Sequence, residues 1–252
     1  MIADMNDIRM HLMPDGRHIA FRHTPASPAS QNAPTLVFLP GYMSDMSGSK
    51  ATSLFARAEA EGRGCLLLDY SGCGQSSGDF ADGTLSRWRD EVIALIEAHI
   101  TGPVVLAGSS MGGWLMLLVA ESLHDRCTGM IGIAPAPDFT SWGYSSAQQA
   151  ALGAGETIFE ANPYGPEPTP TYAVFYADAA QHMRLDAGID LACPVRLVHG
   201  QEDGDVPWQI SLKLAAALAS DEVQVTLIKD GTHRLSRAQD IAAIEAAVNW
   251  FY

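Results

Sequence analysis

The 252-residue chain predicts an α/β domain built on a mostly parallel, eight-stranded sheet with helices on both faces. Three observations carry the prediction. Short apolar runs, the mark of strands buried on both sides, alternate with segments of helical period, as a parallel sheet with crossover helices requires. Apolar residues make up 47% of the chain, ample for a core between helix layers. No stretch approaches 18 apolar residues, so no segment reads as a membrane span. A length of this order suits one α/β domain, and residues 1–252 are expected to form a single unit.

Taken in order, Pro14-Asp15-Gly16 is a tight-turn signal between two short strand-like runs and predicts an antiparallel start. Pro25 to Pro34 is a Pro/Ala/Ser loop. Six later strands follow at Leu36–Leu39, Cys65–Leu68, Val104–Ala107, Met130–Ala134, Val195–His199 and Val223–Ile228. Leu85, Trp88, Val92 and Leu95 recur at helical spacing behind Thr84, an N-cap residue, and Gly113 to Glu121 reads as a buried helix. Ile241, Ile244, Val248 and Phe251 mark a closing helix. Residues 136–191 break the rhythm, being longer than a crossover needs, and are expected to form a cap within the domain. This cap offers Phe139, Trp142, Tyr144, Phe159, Tyr164, Tyr172, Phe175 and Tyr176. An aromatic lining suits an acyl chain or aryl group, with Trp142 and Tyr172 the expected substrate contacts, while at least half of these rings should only pack the cap onto the core.

Charge and cysteine usage exclude several functions. A formal net charge of −14, with no Lys/Arg cluster, argues against nucleic acid and anionic membrane surfaces. Cys65, Cys73, Cys127 and Cys193 have neither C-x-x-C spacing nor a small disulfide-rich context, so they read as reduced thiols of a cytoplasmic protein. Met1 to Asp7 carries no basic segment leading into an apolar run and reads as untargeted. Gly72-Cys73-Gly74-Gln75-Ser76-Ser77-Gly78 misses the dinucleotide fingerprint and reads as a turn after the strand ending at Asp69. His199 with Asp203 makes a weak zinc case for want of a third ligand, and His199 is expected to be a satisfied loop residue.

The chemistry concentrates at Gly108-Ser109-Ser110-Met111-Gly112, a G-x-S-x-G pattern between a predicted strand and a predicted helix. Such a turn holds its serine in a strained conformation and needs glycine two positions to either side, here Gly108 and Gly112. The serine then projects at a helix N-terminus, where free N–H groups favour a developing anion. A serine nucleophile needs a histidine base and an orienting acid, in the chain order Ser, acid, His. Glu202, Asp203 and Asp205 follow the strand that ends at His199, and geometry alone does not choose among them. Of eight histidines only His233 lies beyond all three acids, directly after the last predicted strand.

Together with Leu39-Pro40-Gly41-Tyr42-Met43-Ser44, Asp69-Tyr70-Ser71-Gly72-Cys73-Gly74-Gln75-Ser76, His199-Gly200-Gln201-Glu202-Asp203-Gly204-Asp205-Val206-Pro207 and Thr232-His233-Arg234, this motif resembles the α/β-hydrolase superfamily. Within it, the chain is similar to a branch of acyl-glucuronide esterases and palmitoyl-protein thioesterases, from about Arg17 onward and least between Pro137 and Ala192. The resemblance places the acid on Asp203 and implies that the backbone N–H groups of Tyr42 and Met111 form an oxyanion hole. Many relatives have His-Gly where this chain has Pro40-Gly41, so only the backbone role is carried over. The expected reaction is hydrolysis of a carboxylic ester or thioester through an acyl-serine, with no metal or organic cofactor and a small-molecule ester or S-acylated protein as substrate. A serine peptidase or amidase, or a non-catalytic ligand-binding homologue, are the alternatives.

Overall fold

The computed structural model describes residues 8–162 and 165–252. Met1–Asp7, read above as untargeted, and Tyr164, expected in the cap, lie outside them. A hairpin of β1 (Arg9–Leu12) and β2 (His18–Thr24) opens the chain, turning at Gly16 with φ 89°. Then come β3 (Thr35–Leu39), α1 (Ser49–Glu61), β4 (Cys65–Leu68), α2 (Leu85–His99), β5 (Val104–Ser109), α3 (Met111–Leu123) and β6 (Cys127–Ile133). The interval up to β9 holds α4 (Phe139–Trp142), α5 (Ser146–Gly153), β7 (Ile158–Glu160), β8 (Thr169–Thr171) and α6 (Ala173–Ala179). The chain closes with β9 (Val195–Gly200), α7 (Gln209–Ala217), β10 (Val223–Ile228) and α8 (Ala238–Asn249).

The main sheet has eight strands in the order β1-β2-β4-β3-β5-β6-β9-β10, parallel from β4 onward, with β1 and β2 antiparallel. Strand alternation sends successive side chains to opposite faces. Val37, Leu39, Val104 and Leu106 join a core cluster with α2 and α3, while Leu36, Phe38, Val105 and Ala107 join a second with α1 and α8. The predicted α/β architecture, covered on both faces, is therefore the observed one. Thr84 caps α2 through Oγ1, which accepts from the Arg87 N–H at 3.1 Å, and Leu85, Trp88, Val92 and Leu95 are all buried. Phe251 departs from expectation: α8 ends at Asn249, yet the Phe251 ring still packs into the second core over Gly129.

Strong polar contacts tie the interval between β6 and β9 to the body. The buried Asp138 carboxylate accepts from the Arg184 N–H at 2.9 Å and the Leu185 N–H at 2.8 Å, joining the two ends of the excursion. Arg184 forks onto Glu121 of α3 at 2.8 and 2.9 Å. Trp114 Nε1 donates to the His182 carbonyl at 2.9 Å and the Tyr42 hydroxyl to that of Pro170 at 3.1 Å. Within the interval β7 and β8 pair as a small antiparallel sheet. Among the described residues, no helix is long and apolar enough to cross a membrane.

Candidate active site

β5 runs in the centre of the sheet, between β3 and β6, and delivers Ser110 at its C-terminal end, the place where open α/β sheets bind ligands. Ser110 sits at φ 54°, ψ −121°, a sparsely populated conformation for a residue with a Cβ, and is the N-cap of α3. Its N–H donates to Ile133 at 3.0 Å, and its carbonyl accepts from Gly113 at 2.8 Å and Ala136 at 2.9 Å. These bonds from β6 and α3 hold the strained turn. A Cβ on Gly108 would collide with the Gly112 carbonyl, and one on Gly112 with the carbonyls of Leu39 and Pro40. Only glycine at both positions lets β5, α3 and the end of β3 approach this closely.

His233 lies in the loop between β10 and α8. Its Nε2 is 3.1 Å from Ser110 Oγ, and its Nδ1 is 2.8 Å from Asp203 Oδ2. Asp203 lies in the loop after β9 with its side chain wholly buried. Its Oδ1 accepts from the N–H groups of Asp205 at 2.9 Å and Val206 at 2.8 Å. The sequence had left Asp203 and Asp205 open on spacing alone; the carboxylate at His233 is that of Asp203, while Asp205 offers a backbone amide and an exposed side chain on the cavity wall. Burial opposes ionisation of Asp203, but hydrogen bonds from His199 and His233, the charge His233 can carry and the Val206 amide outweigh it. They hold the carboxyl well below the ordinary carboxylate range.

His199 is the residue that sequence reasoning misjudged. It is fully buried on β9 and not in a loop, with Nε2 3.1 Å from both Asp203 Oδ2 and the Val206 carbonyl, and Nδ1 2.7 Å from Ser211 Oγ. Because a carbonyl only accepts, Nε2 must carry the proton, so His199 donates to Asp203 and Ser211 donates to Nδ1. Asp203 is thus braced by a second histidine. The signal was present in a histidine at the end of a predicted buried strand, four residues before the acid.

These groups open onto a cavity of about 750 Å³, within the ordinary range for small-molecule sites. Tyr42 and Met111 line it beside Ser110. Of the aromatics expected in the cap, Phe139, Trp142 and Tyr144 reach the wall. Tyr172 does not: it lies with its ring 6.3 Å from that of Phe80, outside the lining. Phe175 is buried against Tyr42 and Phe139, Tyr176 packs on Tyr144, Leu152 and Ile158, and Phe159 faces solvent. The loop from Gly72 to Gly78 wraps the Asp69 carboxylate, which accepts from the Met46 and Gln75 amides at 2.8 Å each, as a turn after β4 would. Asp203, Asp205 and His233 also place one ligand atom each within 4.8 Å of one another. An ion between Asp203 and His233 would have to break their 2.8 Å hydrogen bond.

A serine at a strand-to-helix elbow, hydrogen-bonded in series to a histidine and a buried aspartate at the carboxyl edge of a mostly parallel sheet, defines the class, and the comparisons agree. The chain matches the alpha/beta hydrolase family over residues 36–246 and belongs to it. Among its relatives is the mouse (Mus musculus) palmitoyl-protein thioesterase ABHD10, mitochondrial, 37% identical over 214 residues that span 82% of this chain and 71% of that protein. The human (Homo sapiens) counterpart is 34% identical, over 83% of this chain and 70% of that protein. The solved structure of mouse alpha/beta hydrolase domain-containing protein 10 superposes with a TM-score of 0.87 at 31% identity, covering 96% of each chain. A crystal structure from Agrobacterium vitis S4 gives a TM-score of 0.88 at 38% identity, covering 97% of this chain and 98% of that one.

Proposed function

We propose that this chain is a serine hydrolase that cleaves carboxylic esters or thioesters through an acyl-serine intermediate. The observation that carries the reading is the unbroken relay from Ser110 Oγ through His233 to Asp203, opening into the cavity. Ser110 Oγ attacks the substrate carbonyl as its proton passes to His233 Nε2. The Asp203 carboxylate accepts from Nδ1–H, fixing the tautomer and stabilising the imidazolium. The Tyr42 and Met111 amides bind the oxyanion, Met111 from the first turn of α3. His233 then gives its proton to the departing oxygen or sulfur, and a water activated by the same imidazole releases the acid. Nothing in this sequence calls on a metal or organic cofactor.

Residues 136–191 act as the cap, and Phe139, Trp142 and Tyr144 give the acyl arm an apolar wall. The thioesterase relatives support thioesters and S-acylated proteins among the substrates; the acyl-glucuronide branch of the resemblance adds oxyesters. Cytoplasmic location, read from four free thiols, belongs to the same proposal. Replacing Ser110 with Ala should lower ester hydrolysis by about 10⁴-fold or more without unfolding the protein. A fluorophosphonate probe should label the parent and spare the variant. A Ser110→Ala protein with most of its activity would end the proposal, and comparing p-nitrophenyl esters, acyl thioesters and acyl glucuronides by kcat/KM ranks the leaving groups.

A further inference from the structure

The acidic and basic residues on the cavity wall are Asp45, Lys50, Glu160, Asp205, His233 and Arg234. Lys50 stands out among them. It is one of three lysines in a chain of net charge −14, and it sits partly buried in the first turn of α1, not out in solvent where a lysine is most easily hydrated. Its Nζ donates to the Arg234 carbonyl at 2.7 Å. An ammonium carries three N–H donors, and among the described residues no carboxylate forms an ion pair with this one; Lys213, by contrast, pairs with Asp186 at 2.7 Å. Burial above all, and then the like charge of Arg234, push the Lys50 pKa down to about 8, against the pull of Asp203 and Asp240. Two cationic side chains therefore meet at one corner of the cavity, and one of them is desolvated there.

That corner has a defined place in the reaction. On the serine-hydrolase reading, on which this inference rests, His233 protonates the leaving atom, so the leaving group must pass the His233 side of Ser110. Lys50 is fastened to the carbonyl of the next residue, Arg234. We propose that Lys50, with Arg234 beside it, forms a subsite for an oxyanion carried on the leaving group, a carboxylate or a phosphate, and so selects esters and thioesters whose departing half is anionic. A charge-assisted hydrogen bond to a partly buried ammonium discriminates by about 10- to 100-fold against a neutral isostere. The acyl arm, against Phe139, Trp142 and Tyr144, carries no such charge.

The test uses butyrate esters of 4-hydroxyphenylacetate and of its primary amide, which share a leaving oxygen and differ in a remote charge, with a phosphate-bearing phenol as a third arm. The parent should favour the charged esters by about 10- to 100-fold in kcat/KM, expressed mostly in KM. The ratio should collapse toward one in Lys50→Met, persist in Lys50→Arg, and shrink in the parent as pH rises through about 8. Preference for only the carboxylate or only the phosphate arm identifies the anion. If Lys50 merely props the loop that carries His233, Lys50→Met slows both members of a pair alike and the ratio stays, which overturns the proposal. A parent ratio near one, or a preference that appears only when the carboxylate is moved to the acyl arm, overturns it as well. Calorimetric titration with 4-hydroxyphenylacetate and its amide reads the subsite without turnover, so its failure is separable from failure of the Ser110→Ala test.

Discussion

Replacing Asp203 with Asn changes one carboxylate oxygen to an NH2 group at almost constant volume, so its effect can be worked through bond by bond. Oδ1 accepts from two backbone amides, those of Asp205 and Val206, at 2.9 and 2.8 Å. A carboxamide keeps its oxygen there, because those two backbone N–H groups can only donate; on the Oδ2 side His233 can move its ring proton, and the His199 Nε2–H that loses its carboxylate partner still has the Val206 carbonyl at 3.1 Å. The NH2 is then turned toward His233 Nδ1, 2.8 Å from the present Oδ2. It donates, Nδ1 must accept, and the ring proton moves to Nε2, which faces Ser110 Oγ at 3.1 Å. The imidazole can no longer take the serine proton. On the proposed mechanism the expected fall in kcat is about 10⁴-fold, as for loss of the orienting acid in serine triads, equivalent to about 5.4 kcal/mol at the transition state. Stability should shift in a defined sense too. Because the folded-state carboxyl is held below its ordinary range, it stabilises the parent at pH values above the unfolded pKa of about 3.9 and loses that contribution as pH falls through the folded value. The variant should thus be less stable than the parent at neutral pH, with the gap closing in acid. Stopped-flow hydrolysis of p-nitrophenyl butyrate gives the rate, and 15N shifts of the His233 ring give the tautomer. Retention of more than a tenth of kcat, or a ring still protonated on Nδ1, would refute the reasoning. Asp205→Asn is the control: it keeps the backbone amide that Asp203 uses and should cost less than about tenfold.

Acyl-chain dependence separates two aromatics that the sequence paired. Each buried methylene contributes about 0.8 kcal/mol, so kcat/KM should climb from acetyl toward octanoyl. Trp142→Ala should flatten that climb and Tyr172→Ala should leave it, since only Trp142 lines the cavity; equal slopes in both variants would count against the acyl wall. Acid stability should depend on His23, whose pKa is lowered to about 4 by burial first and then by the charges of Arg9 and His99. A histidine with a depressed folded pKa leaves stability intact above the unfolded value of about 6.5 and loses it as pH falls toward the folded one, since the unfolded chain takes the proton first. With partial exposure discounted, about 1–2 kcal/mol should disappear between pH 6.5 and 4. Urea unfolding of His23→Gln should lack that part of the decline, and an unchanged pH profile would remove His23 as its source.

Much of the fold was legible in the chain because its determinants are local. Five of the six later strands are short runs buried on both faces, which leaves no alternative reading for residues such as Leu66 to Leu68, while β10 at the sheet edge is half-exposed and shows itself by alternation. Thr84 announces α2 through its own side chain. Helix α1 was missed because Gly48 caps it without a side-chain hydrogen bond, which leaves no N-terminal mark in the sequence. The short elements between β6 and β9 were missed because three to eight residues are too few to establish a period. The one available signal there was Ser145 with Gln148, a capping box at the start of α5.

The candidate site divides the same way. Gly108, Ser110 and Gly112 are legible because a strand-to-helix turn is local geometry, and the order Ser, acid, His singles out His233 by its place in the chain. Which carboxylate faces the imidazole, that His199 braces it from within β9, that Lys50 reaches the Arg234 carbonyl 184 positions away, and that Trp142 lines the cavity while Tyr172 does not, were all decided by tertiary structure. Apart from the His199–Asp203 contact, which spans four residues, each of these joins elements distant in sequence. Periodicity determines which face of an element is buried, but the partner that a side chain meets depends on how strands are ordered and loops folded back across the sheet.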